Sequence, residues 1–377
     1  VSRGIGTLAA TGRGGGEAAV NDDCLKLTTY FGERQRVEGR FFADVQLELF
    51  GRHELATSIL MRGISGFGLK HHLRTDQLLT LSEDLPLVSV AVDARAKIEA
   101  ALAELRLVGY RGLVTLERAR LLRGEIGPVE LPEQLHEATK LTVYVGRQER
   151  VYRAPAFAAV CDLLHRRGLD GATVFLGVDG TYHGVRTRAR FFGRNADVPM
   201  MIISVGSGHA IARALPELGG LLRQPMLTLE RVRVCKRDGE FVERPHELPG
   251  QDSSGVALWQ KLMVYTSERA FHDGEPVHRA LVRRLRGSNA RGATVLRGIW
   301  GFHDGRGPHG DRFWQLGRNV PVCTVVVDTP ERIAKSFDVV DELTAEHGVV
   351  TSEMVPALGS PNGPEPPGDL RLARHWF

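Results

Sequence analysis

Three segments of this chain open alike and keep the same landmarks at the same spacing. Lys26-Leu27-Thr28-Thr29-Tyr30 is matched by Lys140-Leu141-Thr142-Val143-Tyr144 and by Lys261-Leu262-Met263-Val264-Tyr265. From each lysine, the first glycine of a GxxG element lies 37 residues on: Gly63 with Gly66, Gly177 with Gly180, Gly298 with Gly301. A proline then opens an apolar run (Pro86, Pro199, Pro321), and a Thr-x-Glu segment follows at Thr115/Glu117, Thr228/Glu230 and Thr351/Glu353. A fixed period of this kind means one structural unit repeated along the chain, and it decides the architecture before any local propensity does.

Each unit reads in the same order. The Lys-Leu-x-x-Tyr segment is a short strand. A helix follows, with Phe157, Val160, Leu163 and Leu164 at helical spacing in the second unit and Val277, Ala280, Leu281 and Leu285 in the third. Pro155 and Pro276 suit a first helical turn, and Gly168 suits a helix end. A β-branched strand then runs into GxxG, a polar loop leads to the proline-opened strand, and a second helix is expected from Asp93 and Asp328 as N-caps. The fold class is therefore α+β, each unit being βαββαβ with the crossovers of a ferredoxin-like sheet.

The proline-opened strands are apolar on both faces, so the sheet face away from the helices needs a cover. Three such faces packed round an axis cover one another, and one chain with three copies can close as an intramolecular pseudo-trimer. The expected boundaries are a disordered or mis-started tail over 1–22, units over 23–122, 139–236 and 259–358, linkers over 123–138 and 237–258, and a disordered tail over 359–377. Val1 and Val20 both suit a GTG start.

Composition removes several function classes. The net charge of +4 over 377 residues is too mild to point to nucleic acid, and no aromatic-rich RNA-binding pattern is present. No apolar run reaches the roughly 18–20 residues of a membrane span. Cys24, Cys161, Cys235 and Cys323 are far apart, with no CxxC and no zinc spacing, as expected of thiols in a reducing cytoplasm. No GxSxG, HExxH or P-loop lysine motif is found, so no catalytic residue and no metal ligand set is assigned.

The motifs carry a resemblance. Tyr30-Phe31-Gly32-Glu33, Arg62-Gly63-Ile64-Ser65-Gly66-Phe67-Gly68, Leu81-Ser82-Glu83-Asp84-Leu85-Pro86 and Leu113-Val114-Thr115-Leu116-Glu117 in the first unit resemble the bacterial "domain of unknown function 190" family, whose members look like PII signalling proteins. Gly292–Phe302 carries the likeness in the third unit, and Leu176-Gly177-Val178-Asp179-Gly180-Thr181, a more diverged version, in the second. The resemblance implies a trimeric PII-like architecture, an adenine nucleotide as effector between units, and a loop that contacts a membrane transporter or an enzyme. The nucleotide signature of PII proteins is not present in this chain.

Candidate ligand-binding residues follow. Gly63, Gly66, Gly68, Gly177, Gly180, Gly298 and Gly301 allow either a tight turn or the close approach of a phosphate. Arg62 and Arg297 stand beside the first glycines and suit a phosphate, whereas the second unit has Leu176 there. Gly206-Ser207-Gly208 opens a helix, where backbone N–H groups favour anions and a serine equally makes a plain cap. The long loops are basic, with Lys70, His71, His72 and Arg74, then Arg186, Arg188, Arg190 and Arg194, then Arg306, His309, Arg312 and Arg318. They suit an anionic ligand, a docking partner or solvent. The recurring lysines 26, 140 and 261 and glutamates 117, 230 and 353 suit ion pairs across strands or between units. The expectation is a monomeric regulatory protein that binds a small anion; a ligand-free scaffold is the alternative.

Overall fold

The computed structural model describes residues 19–68, 74–75, 84–110, 112–188, 198–251, 255, 257–303, 307–310 and 320–358. In the first unit the elements are β1 (Ala19–Gly32), α1 (Phe42–Arg52), β2 (Thr57–Arg62), β3 (Ser65–Phe67), β4 (Pro86–Ala94), α2 (Arg95–Leu107) and β5 (Leu113–Arg123). The second unit has β6 (Thr139–Gly146), α3 (Ala156–Arg166), β7 (Ala172–Leu176), β8 (Asp179–Tyr182), β9 (Val185–Arg188), β10 (Pro199–Gly206), α4 (Gly208–Leu221), β11 (Met226–Arg231) and β12 (Arg233–Arg237). The third has β13 (Leu258–Ser267), α5 (Val277–Gly287), β14 (Ala293–Arg297), β15 (Trp300–Phe302), β16 (Pro321–Asp328), α6 (Pro330–Leu343) and β17 (Val349–Leu358).

Within each unit the sheet is antiparallel and in the same order. Those orders are β2-β4-β1-β5, β7-β10-β6-β11 and β14-β16-β13-β17. Alternation along β1 sends Leu25 and Leu27 to a core with Phe42, Leu47, Phe50, Ile98 and Leu102 of the helices. The opposite faces of all three sheets share one further core, which takes Ile59 and Val90 from the first unit, Tyr144 and Ile203 from the second, and Met263 and Val325 from the third. This arrangement explains why the proline-opened strands are apolar on both faces.

The units are also joined edge to edge, in two sets of seams. After each GxxG the chain pairs with the neighbour's second strand: β3 with β14, β8 with β2, and β15 with β7. The last strands make the other set: β5 with β11, β12 with β17, and the end of β17 with β5. Each unit therefore touches both others, and the seams run from first to second, second to third and third back to first.

Three expectations about local structure change. β1 starts at Ala19, inside the segment expected to be a tail, because Ala19–Asn21 pair with Arg123–Leu121 and Asp22 meets Arg120. The rest of that tail and the C-terminal one lie outside the described residues. Asp93 and Asp328 do not cap helices; they end strands. Asp93 accepts from the Ala56 and Ala94 amides at 2.8 and 2.7 Å, and Asp328 from those of Arg291 and Thr329, each at 2.8 Å. The carboxylates thus fix the entry to the second strand, and α2 and α6 begin without a side-chain cap. Pro155 and Pro276 sit one residue ahead of the first helical turn, while Gly168 takes φ 73° just past the end of α3, as a C-terminal glycine should.

One lysine braces a seam. Lys236 of β12 is 1% exposed, and its ammonium donates to the carbonyls of Asp341 and Thr344 at the end of α6 (2.8 and 3.1 Å) and meets the Asp341 carboxylate at 2.8 Å. A cation suits the carbonyl end of a helix. Lys236→Met should cost about 1.5–3 kcal/mol, the range for losing hydrogen bonds to a charged group, as measured by urea unfolding.

Candidate functional site

The glycine elements lie at the joints between units. The first glycine of each bonds within its own unit: the amides of Gly63, Gly177 and Gly298 donate to the carbonyls of Pro86, Pro199 and Pro321 at 2.8, 3.1 and 2.8 Å. The next amide crosses to a neighbour: Ile64 to Val295, Val178 to Leu60 and Ile299 to Val174, at 2.9, 2.8 and 2.9 Å. At the second glycine the backbones are closer still. A Cβ on Gly66, Gly180 or Gly301 would lie 2.5, 2.2 or 2.2 Å from the carbonyl oxygen of Ala293, Ser58 or Ala172. The approach these glycines permit is to another strand of the same chain. Gly68 stands in open space.

The arginines beside them have partners. Arg62 pairs with Glu33 at 2.8 Å, and Arg297 with Glu268. The second unit has Leu176 at the arginine position and Arg147 at the glutamate position, so both halves of the pair changed together. Arg74 pairs with Asp84 at 2.9 Å. Arg186 reaches Asp179 at 2.8 Å and Asp44 of the first unit at 3.4 Å, which makes it a cross-unit brace. Arg188 lies in β9; Lys70, His71, His72, Arg190, Arg194, Arg306, Arg312 and Arg318 lie outside the described residues.

The Gly206-Ser207-Gly208 helix start is covered by the chain itself. Ser207 Oγ accepts from the Ala210 amide at 3.3 Å, a plain cap, and the Gly208 amide donates to the His136 carbonyl at 3.0 Å. A Cβ on Gly208 would lie 2.1 Å from the Leu135 carbonyl oxygen, so the linker occupies the place an anion would need.

The recurring lysines and glutamates meet at the centre, on the shared face of the three sheets. They form a closed ring of alternating charge. Lys26 meets Glu117 at 3.6 Å and Glu230 at 3.0 Å; Lys140 meets Glu230 at 2.9 Å and Glu353 at 2.6 Å; Lys261 meets Glu353 at 2.8 Å and Glu117 at 2.7 Å. Each lysine therefore bridges its own unit's glutamate and another unit's. Burial opposes ionisation of Glu117, but Lys261, Lys26 and Lys140 outweigh it and hold the carboxyl well below its usual range. Burial likewise opposes the charge on Lys140, and Glu230, Glu353 and Glu117 raise its pKa well above that of a free lysine. Carboxylate oxygens of the three glutamates lie within 4.8 Å of one another, close enough to hold a metal ion, yet the lysines already supply the balancing charge.

A cleft opens between the second and third units. Its cavity is about 210 Å³. Arg237 and Arg269 supply positive groups, His303 and His347 supply imidazoles, Tyr265 and Phe302 supply rings, and Asp170 meets Arg237 at 3.2 Å. The four cysteines are buried elsewhere, and loss of hydration pushes the thiols of Cys24 and Cys235 up to about 12, so neither offers a nucleophile.

A family model described as DUF190, "Uncharacterized ACR", matches residues 24–121, 138–234 and 259–357. The chain belongs to the DUF190 family. It carries three DUF190 units in tandem, and the matched segments hold all six ring residues. A curated relative, a UPF0166 protein of Aquifex aeolicus (strain VF5), is 29% identical over 98 residues, which is 26% of this chain and 90% of that protein. That relative is thus close to one DUF190 unit long.

The sequence pattern pairs the recurring lysines and glutamates across strands or between units without showing that they close into one ring, and it assigns none of the charged residues that line the cleft. Tyr265 stands at a repeat landmark, but the other cleft residues come from separate segments of two DUF190 units, and nothing in the sequence sets them together. A hint lay in β12, which continues past the Thr-x-Glu segment with Arg233, Lys236 and Arg237.

Proposed function

We propose that this chain is a regulatory protein of PII-like type, a non-catalytic, cytoplasmic pseudo-trimer of ferredoxin-like units that binds a small anionic effector between units. The observation that carries this reading is the cleft between the second and third units, with its convergent arginines and histidines around two aromatic rings. An adenine nucleotide suits that chemistry: the part-buried Tyr265 ring takes the base and the arginines take the phosphate. The basic loops would pass the signal to a transporter or enzyme. Among the described residues no helix is long and apolar enough to cross a membrane, in keeping with a partner that does.

The test is thermal unfolding with ATP, ADP, AMP, cyclic AMP, phosphate and sulfate. At least one nucleotide is expected to stabilise the chain, by about 2.7 kcal/mol at a hundred times its Kd. Arg269→Ala should abolish that gain. No stabilisation by any compound contradicts the reading.

A scaffold without effector is the second reading. It is favoured by the internal partners of Arg62, Arg186 and Arg297 and by the glycine joints. It predicts no thermal shift, and a captured protein partner that is lost on changing Arg188 and Arg190 to Ala.

A further inference from the structure

A second cavity, of about 700 Å³, lies where the last strands of all three units meet the linker between the second and third. Its volume falls within the usual range of small-molecule sites. Leu116, Leu258 and Met354 make apolar walls. The charged groups on it are unevenly shared. Arg233 is held by Glu243 of the linker, while Glu137, Glu240 and Arg231 are exposed. Arg118 is half-buried; loss of hydration and the neighbouring Arg95 lower its pKa. His246 is lowered by loss of hydration and by Arg233, with Arg231 adding to it. Loss of hydration is the largest cause of both shifts, and Asp23 opposes it at Arg118 as Glu243 and Glu137 do at His246; the exposed guanidinium of Arg231 is a cation of this wall open to a ligand.

One buried polar atom points the same way. Gln260 lines this cavity and is 2% exposed. Its Nε2 donates to the His246 carbonyl at 3.0 Å and to Ser352 Oγ at 3.2 Å, but its Oε1 has no hydrogen-bond donor. Buried carbonyl oxygens rarely go unpaired, and an unpaired one beside a cavity invites a donor from a ligand.

We propose that this cavity, which shares Val234 and Arg237 of β12 with the effector cleft, is a second binding site that takes one small organic anion per chain. The acidic group sits on Arg231, the apolar or aromatic body lies against Leu116, Leu258 and Met354, and an N–H or O–H donates to Gln260 Oε1. The site is a product of fusion. A protein one unit long has no linker to supply His246 or Glu243, and the position held by arginine in the first two units (118 and 231) is Met354 in the third. The three-fold repeat therefore makes the site once.

The dye 8-anilinonaphthalene-1-sulfonate carries an aromatic body, an acidic group and an N–H donor, and serves as probe. Titrated against the full chain by fluorescence and calorimetry, it should fill one saturable site per chain. Arg231→Glu should weaken binding by at least about tenfold, in line with the loss of a charged hydrogen bond. Arg269→Ala, in the other cleft, should leave the affinity unchanged. Arg231 is exposed, so its reversal should leave the circular dichroism spectrum intact and the result interpretable even where Gln260→Leu fails to fold. No saturable binding, three or more equal sites, or an affinity indifferent to Arg231→Glu overturns the proposal.

Discussion

Lys140→Met should destabilise the chain by about 3–5 kcal/mol, the loss expected when one partner is removed from a buried ion network. Lys140 is fully buried and lies within 3.6 Å of all three glutamates. Without it, three carboxylates face two ammonium groups in the shared core. One carboxyl should then keep its proton, so the variant should recover stability as pH falls from about 8 towards the unfolded glutamate pKa of about 4.3. Changing Glu353 to Met in the same chain removes the excess charge and should restore most of the loss. Urea unfolding of the three proteins across pH measures all of this. A Lys140→Met protein as stable as the parent, with no pH dependence of its own, contradicts the ring.

In the parent the signs run oppositely at the two ends of the pH scale. Glu117 has its folded pKa depressed, so its contribution is complete above about 4.3 and is lost as pH falls through the lower folded value. Lys140 has its folded pKa raised, so its contribution is complete below about 10.4 and is lost as pH rises through the higher folded value. The ring should therefore hold constant strength from about pH 5 to 10.

Gly301→Ala should cost about 3 kcal/mol or more, at the top of the usual range for overpacking. The new Cβ would lie 2.2 Å from the Ala172 carbonyl oxygen and 2.7 Å from Pro321 Cγ. The first contact is with the backbone of another unit, which cannot rotate away as a side chain can. The strain should fall on the seam between β15 and β7, and proteolysis should open the second and third units there. Gly68→Ala is the control: nothing lies within 4 Å of its Cβ, and its effect should stay within about 0.5 kcal/mol. Equal effects at the two glycines would contradict the joint.

The parts legible in the sequence were those written three times. Repetition exposed the units, and alternation along β1, β6 and β13 placed Lys26, Lys140 and Lys261 opposite Glu117, Glu230 and Glu353 across the sheet. What GxxG does was not legible, because the strand that needs the glycine belongs to another unit more than a hundred residues away: Gly180 is required by Ser58, and Gly301 by Ala172. A turn, a phosphate cradle and a backbone joint all favour glycine, and only the neighbour tells them apart. Asp93 and Asp328 misled for a related reason. An aspartate before a helix suits a cap, but here the strand entry beside it offered the better donors at Ala56 and Arg291. The two cavities were invisible because each is assembled from segments that differ between units.

The central claim is that the three units pair edge to edge within one chain, the six seams among the described residues all being made between units of that chain. An open arrangement would expose the β3 and β14 edges and the end of β17, and head-to-tail contacts of that kind run on to larger assemblies. Light scattering on the purified chain across a wide range of concentrations tests this most directly. The account predicts a single species at the monomer mass of 41.5 kDa. A mass that is a multiple of that value, or one that climbs with concentration, would contradict it.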